Sequence, residues 1–168
     1  MFKFFFNKNH DAFLYNTLHS LSRNLFFYED LKLKDTFETR IYLIFLHFSI
    51  LLLIFKVKKK KFNQIYYDSL FLNIENDLRE LGFGDVSVNK KMKDLNQILY
   101  DILLKFKKNN LEEKFEINEK IIFKYFDEIK PDDYQNFRKF EAYLLNFYNF
   151  CFELPPDNMI KDLKNFNY

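Results

Sequence analysis

Residues 78–92, "LRELGFGDVSVNKKM", hold both glycines of the 168-residue chain, Gly82 and Gly84, with Lys90 and Lys91 shortly after them. A Gly-x-Gly beside basic residues is the start of a phosphate cradle, because glycine lets backbone N–H groups approach an anion closely. That chemistry also requires a strand before the glycines, a helix start after them, and a third glycine or a Gly-Lys-Ser/Thr. Here an apolar stripe of helical period precedes them, the third glycine is missing and the lysines are out of pattern. The stretch instead fits a helix C-terminus. Gly82 supplies the positive φ of a Schellman or αL cap, and Gly84-Asp85 completes the reversal into the next helix. Arg79 follows Glu75 by one helical turn and precedes Asp85, so it can pair with either carboxylate.

Other reactive side chains are scattered. His10, His19 and His47 lack the i, i+4 spacing of a metal pair, and no Asp or Glu completes a ligand set. His47 lies inside an apolar run and reads as a core histidine hydrogen-bonded to a neighbouring helix. The single cysteine, Cys151, excludes an internal disulfide and any multi-cysteine metal centre, and points to a reducing compartment. Its aromatic neighbours make it a small core residue. With no nucleophile–base pair, metal cluster or phosphate loop, the sequence predicts a protein that is not an enzyme and takes no cofactor.

Apolar residues make up 48% and charged residues 30%, a globular composition rich in aromatics, with 24 Phe and 11 Tyr. Charge is uneven: residues 1–111 carry 18 Lys/Arg against 12 Asp/Glu, and the remainder 8 against 12, which assigns an anionic partner to the first part. Five of those cations, Lys56, Lys58, Lys59, Lys60 and Lys61, fall in one six-residue run. The run is either a solvated turn or a contact for anionic lipid or RNA; no folded RNA-binding motif supports specific nucleic-acid recognition. Just before it, "IYLIFLHFSILLLIF" (41–55) carries no charge. It is about five residues short of the roughly 20 that cross a bilayer and has His47 at its centre, so a central helix buried on all sides is favoured over a membrane span. The N-terminus shows no signal or transit pattern.

The elements that would position these residues are all helical, since no segment alternates with period two for long enough to demand a sheet. One domain over 1–168 is expected, a bundle of about six helices. The first runs from Asp11, its N-cap, to Arg23. The second runs from Thr36 to Val57, opened by a capping pair at Asp35 and Glu38. The third covers 62–81, with Tyr67, Leu70, Phe71, Ile74, Leu78 and Leu81 as one buried stripe. The fourth, capped by Ser87, turns Val88, Met92, Leu95, Leu99, Ile102 and Phe106 inward and lysines outward. The fifth covers 113–129, with Phe115, Ile122, Tyr125, Phe126 and Ile129 inward, and stops at Pro131. The sixth starts at Asp132 or Asp133, buries Phe137, Phe140, Leu144, Phe147 and Cys151, and ends at "LPP" (154–156); one more short helix could follow Asp157.

"LFLNIENDLRELGFGDVSVNKKMKDL" is similar to the signature of the ubiquinol–cytochrome c chaperone family. That pattern is Leu-Arg-Glu-(Leu/Met)-Gly-(Val/Ile)-Gly-Asp, then Ser/Thr-Val and basic residues. Upstream, "LYNTLHSLSRNLFFYEDLKLKDTFETRIYLIFLHFSILLL" resembles the family's Leu-Tyr, aromatic Phe-Tyr, Asp-Thr, Arg and Leu-His order. The likeness covers about residues 12–108 and falls on Tyr15, Arg23, Tyr28, Asp35, Thr36, Arg40, His47, Asp68, Arg79, Glu80, Gly82, Gly84 and Asp85. Thr39 stands where glycine is expected before Arg40, and Ile41 replaces an aromatic. The resemblance implies a helical assembly factor for the respiratory cytochrome bc1 complex that binds newly made cytochrome b or other bc1 subunits. A small helical partner protein is a further expectation, and the lysine patch offers a contact for anionic lipid or the ribosome. The compact chain looks like a bacterial member, on the cytoplasmic side of the inner membrane; a mitochondrial one would act on the matrix side. Arg40, His47, Arg79, Glu80 and Asp85 would be the client-contacting residues.

Overall fold

The computed structural model describes residues 8–109 and 115–168. Among them there is no strand. The order is α1 (Lys8–Ser22), a one-turn π-helix (Phe26–Asp30), α2 (Phe37–Val57), α3 (Gln64–Glu80), α4 (Asp85–Asn109), α5 (Glu119–Tyr125), α6 (Tyr134–Glu153), α7 (Pro156–Asp162) and a closing 3-10 turn (Leu163–Asn165). The all-α bundle is built around α2, which packs against α1, α4 and α6 and meets α3 through the Phe45–Phe71 and Phe48–Tyr67 ring contacts.

Residues 43–51 of α2 are buried without a break, more than two full turns, so no face of this stretch reaches solvent. By length and composition α2 could cross a membrane; in this fold the surrounding helices take the place of lipid. Each buried Leu, Ile or Phe is worth roughly 1.5–3 kcal/mol. His47 is the polar exception at the centre. Its Nδ1 donates to the Leu43 carbonyl at 2.6 Å, which leaves Nε2 as the acceptor for the Tyr143 hydroxyl of α6 at 2.8 Å. The ring is thus neutral, satisfied at both nitrogens, and walled by Phe27, Tyr143 and Phe147 edge to face.

Several helix ends differ from the sequence expectation. Helix α1 already runs from Lys8, so Asp11 lies inside it. At α2 the cap is Thr36, whose Oγ1 accepts the Thr39 N–H at 3.1 Å; Asp35 is turned instead toward Arg40, with 3.2 Å to its Nε. Asn63 caps α3, and Leu81 leaves the buried stripe because the chain reverses there and exposes it. Helix α4 closes its first turn at Gly84, whose carbonyl accepts the Val88 N–H at 2.9 Å, so Ser87 sits inside the helix. The fifth helix is far shorter than 113–129. Residues 113 and 114 lie outside the described ones, Asn118 caps α5, and the helix ends at Tyr125, short of Pro131. Phe126 leaves helical geometry (φ −128°, ψ 84°), and a loop turns it and Ile129 into the core.

Asp133 caps α6 by accepting the Asn136 N–H at 3.2 Å, and Phe137, Phe140, Leu144, Phe147 and Cys151 are buried as expected. Burial raises the Cys151 thiol well above its ordinary value, so it is an inert packing residue. The segment after Pro156 packs too, burying Met159, Ile160 and Leu163.

Burial lowers His47 to about 4 from its ordinary 6.5. The unfolded chain therefore binds the extra proton first, and this group makes stability fall as pH drops from 6.5 toward 4. Thermal unfolding across that window should show a declining midpoint, worth at most about 3 kcal/mol from this group. The double replacement His47→Phe with Tyr143→Phe should flatten the decline, whereas Tyr143→Phe alone should cost about 1–3 kcal/mol by orphaning Nε2.

Candidate functional site

Tyr15 and His19 stand one turn apart on a single face of α1, and Arg23 follows in the turn just past the helix end. The Tyr15 ring is buried between helices, and its hydroxyl donates to the Asp77 carboxylate of α3. Burial first, then Asp77, raises the phenol far above its ordinary value, so it remains a donor. His19 lies against Tyr15, ring centroids 5.7 Å apart. Burial lowers its pKa, with Arg23 and Arg40 acting the same way and Asp77 opposing.

The π-helix, closed by the Leu31 N–H on the Phe26 carbonyl at 3.1 Å, sets Tyr28 beside this face. The Tyr28 hydroxyl donates to the Ser22 carbonyl at 2.6 Å and is pushed up to about 12, by burial and then by Asp35. Arg40, on the first turn of α2, faces Asp35 at 3.2 Å and donates from Nε to the Thr36 carbonyl at 3.3 Å. The cluster therefore presents protonated phenols and a paired guanidinium. These are fixed hydrogen-bonding groups suited to recognition.

The α3–α4 corner continues from it. Gly82 adopts φ +94°; its N–H donates to the Arg79 carbonyl at 3.0 Å and the Phe83 N–H to the Leu78 carbonyl at 3.3 Å, the two bonds of a Schellman motif. Gly84 has no positive φ and serves as the helix start. Arg79 bridges the corner, donating to Glu75 at 2.8 Å and to Asp85. The reversal leaves Leu81, Phe83 and Val86 exposed, Val86 at 85%, with the Lys91 ammonium 4.6 Å from the Phe83 ring centroid. Glu80, the last residue of α3, is exposed beside them.

Of the expected contact residues, the fold brings Arg40, Arg79, Glu80 and Asp85 to the end of the bundle where α2 begins and α3 turns into α4. His47 is withdrawn from that surface: it is fully buried and holds α2 to α6. Asp68 is also elsewhere, exposed on the first half of α3 and bonded to Gln64 at 2.9 Å. The lysine run lies at the opposite end of α2. Lys58 is not part of a free patch there, because its ammonium donates to the Phe152 carbonyl and, at 2.8 Å, to the Leu154 carbonyl where α6 ends. His19 and Asp77 were not singled out from the sequence. The i, i+4, i+8 spacing of Tyr15, His19 and Arg23 carried the signal for the first, but nothing local marks Asp77, whose partner is distant in the chain.

The family model described as ubiquinol-cytochrome C chaperone matches residues 29–155. No curated protein and no solved structure matches the chain. The matched span begins after Tyr15, Arg23 and Tyr28 and runs through α5 and α6, well past the residue 108 at which the sequence resemblance stops.

The two glycines should separate by mutation. Gly82→Ala forces an L-residue into left-handed backbone and should cost about 1–2 kcal/mol in denaturant unfolding. Gly84→Ala, whose added Cβ meets nothing within 4 Å, should cost at most about 0.5 kcal/mol.

Proposed function

This chain belongs to the ubiquinol–cytochrome c chaperone family, a non-catalytic chaperone family of cytochrome bc1 complex assembly, and from that premise we propose that its client is newly made cytochrome b. The family match over 29–155 carries the reading. It is supported by the end of the bundle that bears Arg40, Arg79, Glu80 and Asp85, where exposed Leu81, Phe83 and Val86 stand beside paired charges. A hydrophobic client needs apolar side chains to cover and polar groups to fix register, and this surface offers both.

In this reading residues 1–168 act as one helical domain. The protein works peripherally on the cytoplasmic side of the inner membrane, or the matrix side in a mitochondrion. Enclosure of α2 by four helices supports a peripheral attachment, and alkaline carbonate should release the protein from membranes; retention in the pellet would favour a span at 41–55 instead.

The contact residues are tested by Arg40→Ala, Arg79→Ala and Asp85→Ala. The Arg79 pairs are exposed, and such pairs are worth only about 0–1 kcal/mol, so the helical circular dichroism signal should persist. Recovery of cytochrome b with the tagged protein should fall several-fold, by loss of about 1 kcal/mol or more per contact. Loss of helicity, or undiminished recovery, would remove these residues from the client surface.

A further inference from the structure

The end of the bundle opposite the Arg40 cluster has its own surface. Residues 56–61 carry five lysines and no carboxylate. Lys58 is taken up by the α6 carbonyls, with its ammonium 4.9 Å from the Phe152 ring centroid. Its neighbours Lys56, Lys59, Lys60 and Lys61 are exposed, and none has a carboxylate at ion-pair distance among the described residues. The turn that holds them is fixed: Lys59 has φ 54°, the Lys60 N–H donates to the Phe55 carbonyl at 2.9 Å, and Phe62 packs on Phe55 at 5.2 Å. Three apolar side chains stand exposed at the same end, Val57 before the lysines, Ile65 on the first turn of α3, and Phe152 beside Lys58.

A solvated turn accounts for lysines alone; it does not account for exposed aliphatics placed among them. We infer that this end is a docking surface for an anionic lipid bilayer, with Lys56, Lys59, Lys60 and Lys61 meeting headgroups while Val57 and Ile65 enter the interface. Cationic charge beside shallow apolar side chains is the pattern that membrane surfaces select. RNA fits less well. Val57 and Ile65 offer no π-face, and the Phe152 ring is engaged by Lys58 and stacked on Tyr148 at 5.6 Å. The consequence is orientation. Arg40 and Lys56 lie near opposite ends of α2, about 24 Å apart along its axis. Docking at the lysines therefore holds the α3–α4 corner off the lipid surface, where it meets parts of a partner that project from the membrane.

The test is co-sedimentation of the full chain with vesicles of phosphatidylcholine alone, or of phosphatidylcholine and phosphatidylglycerol in equal parts. Binding should require the anionic lipid and weaken with salt. Replacing Lys56, Lys59, Lys60 and Lys61 together by Gln should lower partitioning by several hundred-fold, roughly 600-fold, since each lysine near such a surface contributes about fivefold. Val57→Ser with Ile65→Ser, which leaves the charge intact, should lower it about tenfold. Equal binding to neutral vesicles, no effect of the lysine replacements, or tighter binding to a single-stranded RNA oligonucleotide than to anionic vesicles would overturn the proposal. Capture of cytochrome b in detergent, where no bilayer is present, should survive the lysine replacements; this separates failure of docking from failure of the client assignment.

Discussion

Helix α2 has no polar face over residues 43–51, and a helix of that kind in water must be covered on every side. Covering a cylinder takes several neighbours: α1, α4 and α6 pack on it, and Tyr67 and Phe71 of α3 lay their rings against Phe48 and Phe45. Their own inward stripes follow from this demand: Leu70, Ile74 and Leu78 on α3, Leu95, Leu99 and Ile102 on α4, Phe140, Leu144 and Phe147 on α6. The aromatic excess is spent here as well, since Phe27, Tyr143 and Phe147 close around one imidazole. His47 gives this otherwise apolar contact a register, because the Tyr143 hydroxyl reaches Nε2 in only one alignment of α6 on α2.

The same enclosure divides the surface. With the flanks of α2 covered, its two ends become the places where chemistry can be displayed. The N-terminal end collects Arg40, Asp35, Tyr28, Tyr15 and Asp77, each held by a partner, and continues into the glycine corner. At the C-terminal end four lysines have no carboxylate at ion-pair distance among the described residues, while Lys58 locks the turn to α6. One end is thus a rigid, charge-paired surface suited to a specific protein client. The other is an unpaired cationic surface suited to a partner with many interchangeable anions.

Much of this was legible in local sequence. The 3.6-residue period gave the helices and their buried faces, Gly82 announced a Schellman turn, and the order of motifs around 78–92 pointed to the family to which the chain belongs. The errors share a cause. Caps at Thr36 and Gly84, in place of Asp35 and Ser87, depend on which neighbouring oxygen is free, and Asp35 was drawn away by Arg40. The fifth helix stopped early because core packing turned Phe126 inward by a loop, against a pattern that fits a helix equally well.

The sequence by itself determined helix, stripe and turn, because those depend on residues within a few positions of one another. Tertiary structure alone decided that His47 serves the core while Arg40 serves the surface, that Asp77 completes the Tyr15 cluster, and that Lys58 differs from the lysines around it. Each of those roles is set by a group 62 to 96 residues away, Tyr143 for His47, Asp77 for Tyr15 and the Leu154 carbonyl for Lys58, or by the burial that such neighbours impose. Local spacing carries no record of a partner that distant; only the enclosure of α2 brings the two within hydrogen-bond reach.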